Sequence, residues 1–168
     1  MRQIAGLFSV ILLIFFVNTS VSFAESKSVD YALPYPGLLP DNPLYFLKVS
    51  RDRIVSFLIS DSLKKAEFDL LQADKRISAA LYLFNSAKKH QKTTELIIST
   101  TSKAENYLEQ SITKIREAKK EGKDTADLLR RLKDAVRKHS EVLKMLNITS
   151  EAQRVKVFQQ EVDNLSPH

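Results

Sequence analysis

Hydrophobic residues recur at helical spacing in five consecutive stretches that begin near residue 43. The pattern is most regular in the second stretch, where large side chains recur every seven residues and alanines stand at intermediate positions. The large residues are Leu63, Leu70, Ile77 and Phe84, and the small ones are Ala66, Ala73 and Ala80. Alternation of large and small residues at this period predicts helices that approach closely and cross with a left-handed sense. The spacing predicts helices over about 43–59, 61–89, 93–120, 124–147 and 149–165.

Three later stretches carry apolar seams of their own. The predicted seam residues are Ile97, Thr101, Ala104, Leu108, Ser111, Ile115 and Ala118, then Leu129, Leu132, Val136, His139, Leu143 and Leu146, then Val155, Phe158, Val162 and Leu165. The residues of the first helix that we expect to face inward are Leu44, Leu47, Ile54, Phe57 and Leu58. Asp61 or Ser62 and Asp124 can cap helix starts, while Gly122 suits a left-handed stop.

Turn-forming residues are scarce after the first stretch begins. Between Leu44 and Pro167 the chain has one glycine and no proline, whereas strand-rich folds need frequent turn residues. Short connections make neighbouring helices antiparallel. We therefore predict an all-α fold over residues 43–166, an elongated antiparallel bundle of about four to five helices with coiled-coil-like packing.

The beginning of the chain has a different pattern. A short basic start is followed by an almost wholly apolar run, residues 4–17, and by small residues at positions 22 and 24. This arrangement predicts a secretory signal peptide over residues 1–24, cut after Ala24. An uncleaved anchor is the alternative, because residues 21–23 can extend the apolar run. The protein is thus predicted to be exported to the cell envelope or outside the cell, and to the periplasm where the host has an outer membrane.

Composition narrows the classes of function. The 168 residues carry a formal net charge of +6, and basic and acidic residues are well mixed. This balance favours loose association with an anionic envelope component and not with nucleic acid, which would require a clustered basic stripe. The absence of cysteine excludes disulfides, thiolate metal sites and a cysteine nucleophile. No second long apolar run follows the leader, so we predict no membrane span after cleavage.

No catalytic or metal-binding motif is apparent. The three histidines, at positions 90, 139 and 168, do not form the paired spacing that places two metal ligands on one helix face. Most carboxylates lie near Lys or Arg at helical spacing, which is typical of solvated, ion-paired faces. His139 occupies an apolar seam position, where it is either a pH-sensitive contact or ligand, or a buried side chain bonded to a neighbouring helix, which we favour. We predict no enzyme activity, no cofactor and no metal site.

Residues 25–42 form a polar, flexible stretch followed by an extended segment rich in proline and aromatic residues. Such a segment can dock into a partner, or it can fold back on its own bundle, which we favour. The candidate docking residues are Tyr31, Tyr35, Leu38, Leu39, Tyr45 and Phe46.

The same region carries a resemblance to a known family. Residues 33–48, Leu-Pro-Tyr-Pro-Gly-Leu-Leu-Pro-Asp-Asn-Pro-Leu-Tyr-Phe-Leu-Lys, resemble the opening motif of the bacterial family catalogued as domain of unknown function 5667. Residues 51–53, 64–68, 73–77 and 102–105 continue the resemblance. It implies an exported or membrane-attached helical domain and supplies no activity, substrate or catalytic residue.

These observations predict a non-catalytic interaction or structural module of the envelope or the extracellular space. Its partner would be a protein or an anionic envelope component, and the heptad seams can also serve between copies of the chain. The alternative is an envelope stress protein of a periplasmic-chaperone-like or metal-responsive type.

Overall fold

The computed structural model describes residues 29–86 and 91–165. The predicted signal peptide, as well as His90 and His168, lie outside these residues. Residues 29–44 contain no helix or strand, and five helices follow. They are α1 (Tyr45–Leu58), α2 (Ser62–Ser86), α3 (Gln91–Lys120), α4 (Ala126–Met145) and α5 (Thr149–Leu165). The prediction of an all-helical bundle is confirmed.

Local hydrogen bonds explain where several helices begin and end. The Asp61 carboxylate accepts the backbone N–H of Lys64 at 2.9 Å and caps the start of α2. Gly122 follows α3 with φ of +76°. There, the N–H of Lys123 donates to the carbonyl of Ala118, which together with the left-handed glycine makes a Schellman stop. Asn147 ends α4 in the same way with φ of +57°.

The closest helix pair is α2 with α3, which make the most extensive contact in the described chain. Ala66, Ala73 and Ala80 on α2 are fully buried, as are Ala104 and Ala118 on α3. In addition, the Ser111 hydroxyl of α3 donates to the backbone carbonyl of Ala66 at 2.8 Å. A side chain as short as serine reaches the opposite backbone only where the two helices lie very close together. The small residues predicted to allow close approach therefore lie in this contact.

The second layer consists of α4 and α5, which contact each other and lie against α2 and α3. All predicted seam residues of α3 and α4 are buried, including His139. On α5, Val155, Phe158 and Val162 are buried, and Leu165 packs against the core while partly exposed. One continuous core thus joins the four longer helices.

The prediction for α1 was wrong about its inward face. The five apolar residues expected to face inward are 53–87% exposed, and the buried residue of this helix is Asp52. The reason is that α1 makes no extensive contact with the other described helices, so its apolar residues have no helix surface to pack against. Phe84, near the end of α2, is also 46% exposed instead of buried.

We expect Ala73→Leu to destabilise the bundle by about 1–3 kcal/mol, because extra methylenes at a fully buried position push α2 and α3 apart. Urea unfolding followed by circular dichroism measures the change. Ala126→Leu, at an exposed alanine of α4, is the matched control. Equal stability of both variants would contradict the close α2–α3 contact.

Candidate interaction surface

A buried hydrogen-bond network fixes the segment that precedes α1. The Tyr31 hydroxyl donates to Asp74 Oδ2 of α2 at 2.6 Å. The other oxygen, Oδ1, lies 2.8 Å from His139 Nε2 of α4, and the ring N–H donates to it. Asp74 and His139 are 4% and 1% exposed. The network joins three parts of the chain and confirms the interpretation of His139 as a buried side chain bonded to a neighbouring helix.

The Tyr31 hydroxyl is held in its protonated, donating form. Burial raises its pKa well above the ordinary value, and the adjacent Asp74 carboxylate raises it further. The backbone N–H of Val29 also donates to Glu141 of α4 at 3.2 Å. Leu33 packs against the core beside Tyr31. The chain is therefore anchored over residues 29–33 before it reaches the prolines.

After this anchor the segment moves outward. Pro36 is buried, whereas Tyr35 is 74% exposed and meets the ring of Tyr82 edge-on at 6.1 Å between centroids. Gly37 has φ of +72°, a left-handed conformation that glycine adopts without strain, and it turns the chain towards α1. Leu38, the next residue, is 40% exposed. The tip of the segment thus presents two apolar side chains to solvent.

A narrow polar contact holds α1. The Lys65 ammonium of α2 donates to the carbonyl of Ser56 at 2.9 Å and also contacts its hydroxyl. The buried Asp52 accepts from Arg51 at 2.7 Å. Burial raises the pKa of the Tyr45 hydroxyl, with the nearby guanidinium of Arg76 opposing the shift. Polar and phenolic groups therefore take up the inner side of α1.

The Arg76 guanidinium itself lies within the body of the protein. It stacks 4.1 Å from the ring centroid of Tyr107 on α3, and its Nη1 donates to the Gln72 side chain at 2.9 Å. Its Nε is buried without a hydrogen-bond partner among the described residues. Both this cation and the Asp52 carboxylate lie close enough to Tyr45 and Lys48 to shift the pKa values of those two residues.

The outer side of α1 is largely apolar. Its large hydrophobic residues are between 38% and 87% exposed, and we call them the α1 apolar face. They are Phe46, Leu47, Ile54, Val55, Phe57 and Leu58, together with Leu44, which directly precedes the helix. Contiguous exposed apolar surface of this kind marks sites of interaction with a protein or a membrane.

The six candidate docking residues do not share one environment. Tyr35, Leu38 and Phe46 are exposed, Leu39 and Tyr45 are half-buried, and Tyr31 donates into the buried network. The sequence reasoning missed most of the α1 apolar face, since it assigned those residues to the core. The absence of exposed acidic residues in α1 was the signal available for finding this face.

Two further carboxylates are buried, contrary to their assignment to solvated faces. Asp69 is fully buried, and its nearest cation, Lys65, lies 3.9 Å away. Burial raises the pKa of Asp69 to about 6. Glu105 lies 2.9 Å from Arg154 Nη1, yet burial raises its pKa to about 7. Neither residue lies on the α1 apolar face. We therefore expect the ionisation of these carboxyl groups to change the stability of the fold.

Lys123, in the turn between α3 and α4, is paired with two carboxylates. Lys123 lies 2.7 Å from both Asp61 and Glu121, which lowers the pKa of each carboxyl group. In residues 29–86 and 91–165, no group of three or more histidine and carboxylate side chains is placed to hold a metal ion. None of the helices described there combines the length and apolar character needed to cross a bilayer.

Tyr31→Phe should lower the free energy of unfolding by about 1–2 kcal/mol, because the buried Asp74 carboxylate loses a donor. Tyr35→Phe, which removes the hydroxyl of an exposed tyrosine, should change stability by less than about 0.5 kcal/mol. Chemical unfolding of both variants checks the network. A Tyr31→Phe protein as stable as Tyr35→Phe would show that the hydroxyl contributes nothing.

Glu105→Gln should stabilise the protein at pH 8 and leave its stability nearly unchanged at pH 4. The native pKa of about 7 lies above the ordinary 4.5, so the folded state binds the proton more tightly. Ionisation therefore removes stability as pH rises from about 4.5 to 7, by roughly 1–3 kcal/mol. Unfolding measured from pH 4 to 8 should give this difference between variant and wild type.

Glu109→Gln is the control for that measurement. Glu109 is exposed and lies 3.7 Å from the same Arg154, so its substitution alters that ion pair without removing a buried charge. A pH-dependent gain as large as that of Glu105→Gln would show that burial is not the cause.

Comparison with known proteins identifies one family. The family model described as Domain of unknown function (DUF5667) matches residues 37–161, which include all of α1 to α4 and most of α5. No curated protein and no solved structure shows significant similarity to the chain. The match begins at Gly37 and spans the α1 apolar face, so the surface described above lies within the family domain. The chain belongs to the DUF5667 family.

Proposed function

We propose that this protein is an exported, non-catalytic module of the cell envelope that binds a partner through the α1 apolar face and the adjoining tip of the proline-rich segment. The observation that supports it best is the exposure of six large hydrophobic residues on one side of α1, together with Leu44 directly before the helix. Monomeric soluble proteins rarely leave so much contiguous apolar surface uncovered without using it.

The contacts that hold the α1 apolar face in position also support a role in binding a partner. The Tyr31–Asp74–His139 network and the Lys65–Ser56 contacts hold the segment and α1 on the body of the bundle. Because their partners lie on other helices, these contacts keep the surface in place before any partner binds. A preorganised surface loses less conformational entropy on binding than a flexible one.

The ionisable residues support a non-catalytic role. Asp74 and His139 bond each other out of solvent, and Asp69 and Glu105 are buried in helix packing. A general acid or base must reach a substrate proton, and these buried groups do not line an open cleft with a second reactive group. Export is supported by the apolar run and small residues of positions 1–24.

Site-specific photo-cross-linking in the native host tests this function. Benzoylphenylalanine replaces Phe57, the most exposed residue of the face, in a tagged full-length chain. We expect adducts to discrete envelope components, carried by a protein that mass spectrometry shows to begin at Glu25. The matched control places the same probe at Gln110, an exposed position of α3, where we expect few adducts.

Equal adducts from both positions, or retention of the chain in the cytoplasm, would contradict the proposal. A broad ladder of many adducts at position 57 would instead favour the chaperone-like alternative, in which the same apolar face binds unfolded clients. A companion Tyr35→Ala/Leu38→Ala variant should reduce the discrete adducts while retaining its helical circular dichroism, because both side chains are exposed.

A further inference from the structure

A cationic groove lies directly beside the α1 apolar face. It has a volume of about 440 Å³ and lies between the tip of the proline-rich segment, α1 and α2. Lys48, Arg51 and Lys75 line it together with the apolar side chains of Leu38 and Leu47. We call the three basic residues the groove cations. Leu47 belongs to both surfaces, so the groove and the apolar face are continuous.

The groove contains no carboxylate among its lining residues. Arg51 donates to Asp52, whereas no described carboxylate lies within ion-pair distance of Lys48 or Lys75. Burial lowers the pKa of Lys48, and the neighbouring charge of Arg76 lowers it further. An anion placed in the groove would relieve this crowding of positive charge.

Two other basic regions of the described surface contain carboxylates beside their cations. At the α3–α4 turn, Lys123 contacts two carboxylates. A larger groove of about 590 Å³ between α4 and α5 carries Glu141 and Asp163 among its lysines. Thus the cationic groove combines two lysines that have no carboxylate within ion-pair distance with an adjoining exposed apolar surface.

We infer that α1 is an interfacial helix that binds an anionic lipid surface, with the apolar face in the headgroup–acyl boundary and a lipid phosphate in the cationic groove. This inference rests on the proposed function and names the partner of the same surface. Helices that lie in a membrane interface have an apolar side with basic residues at its edges. Here the edges carry Lys48 and the exposed Arg53, and the acidic residue of α1, Asp52, is turned inward.

The charge distribution favours a lipid surface over a second copy of the chain. A two-fold contact through the apolar face would bring each copy's groove cations and Arg53 towards those of the other copy. Like charges facing each other oppose such a contact, whereas anionic headgroups at the rim of the apolar face attract these cations. The predicted route of export also brings the chain to a membrane.

A local fluorescent reporter on the full chain tests the inference. Since the protein has no cysteine, Ser50→Cys provides a single labelling site on the exposed side of α1. The attached nitrobenzoxadiazole dye should shift to the blue and brighten with vesicles of equal parts phosphatidylglycerol and phosphatidylcholine. Gln110→Cys, on α3, carries the control dye and should not respond. Because the dye is attached to α1, its response reports contact of that helix with the vesicle. This holds whether or not residues 1–24 are retained.

Two variants separate the contributions of charge and apolar surface. In the Ser50→Cys background, Lys48→Gln/Lys75→Gln should weaken apparent vesicle affinity roughly tenfold, because two cations near the surface are lost. Ile54→Ser/Phe57→Ser should abolish the blue shift while keeping the helical circular dichroism, since both residues are exposed. Raising the salt concentration should weaken wild-type binding.

Several outcomes would overturn the inference. One is an equal response to pure phosphatidylcholine vesicles. Another is the same blue shift with inorganic phosphate alone. A third is a blue shift that depends on protein concentration in the absence of vesicles, which would report binding of a second copy of the chain. An absent vesicle response combined with discrete protein adducts at position 57 in the host would overturn the lipid partner and leave the proposed interaction function standing.

Discussion

The buried carboxylate of Asp74 is the interaction on which the arrangement of this protein depends. A carboxylate that is 4% exposed is costly to bury unless its oxygens are bonded, and here each oxygen has its own partner. His139 satisfies one oxygen from α4, and Tyr31 satisfies the other from the segment before α1. The two hydrogen bonds to this one side chain of α2 therefore join both helical layers and the proline-rich segment.

This link determines how the exposed surface is presented. With Tyr31 anchored, the chain between Leu33 and Leu44 has few residues in which to reach the start of α1, and the left-handed turn at Gly37 directs it there. On the other side, Lys65 of α2 holds α1 through Ser56. Fixed at both ends, the segment and α1 expose their apolar side chains on one side of the bundle, next to cations that have no carboxylate partner in the groove. Hydrophobic packing holds the helical body together, whereas a hydrogen bond from Lys65 holds α1 on it. A stable body and an exposed apolar helix can therefore occur in the same protein.

The helical core was predictable because its pattern is local and periodic. Every residue that heptad recurrence assigned to the seams of α3 and α4 is buried, and the small residues predicted to permit close approach lie where Ser111 reaches the backbone of α2. Capping by Asp61 and the left-handed stop at Gly122 also follow from short-range chemistry. Burial of Asp69 and Glu105 was missed, since a nearby lysine or arginine at helical spacing is equally consistent with an exposed pair and a buried carboxylate.

The sequence by itself determined the fold class, the buried seams of α3 and α4 and the membership of the DUF5667 family, because each depends on spacing or on a long motif. Only the tertiary structure decided which side of α1 faces the bundle. Periodicity shows that a helix has an apolar side, but the neighbouring surface decides whether that side is buried. Here α1 has no extensive contact with the other described helices and is held through the Lys65–Ser56 hydrogen bond, so its hydrophobic side stays exposed.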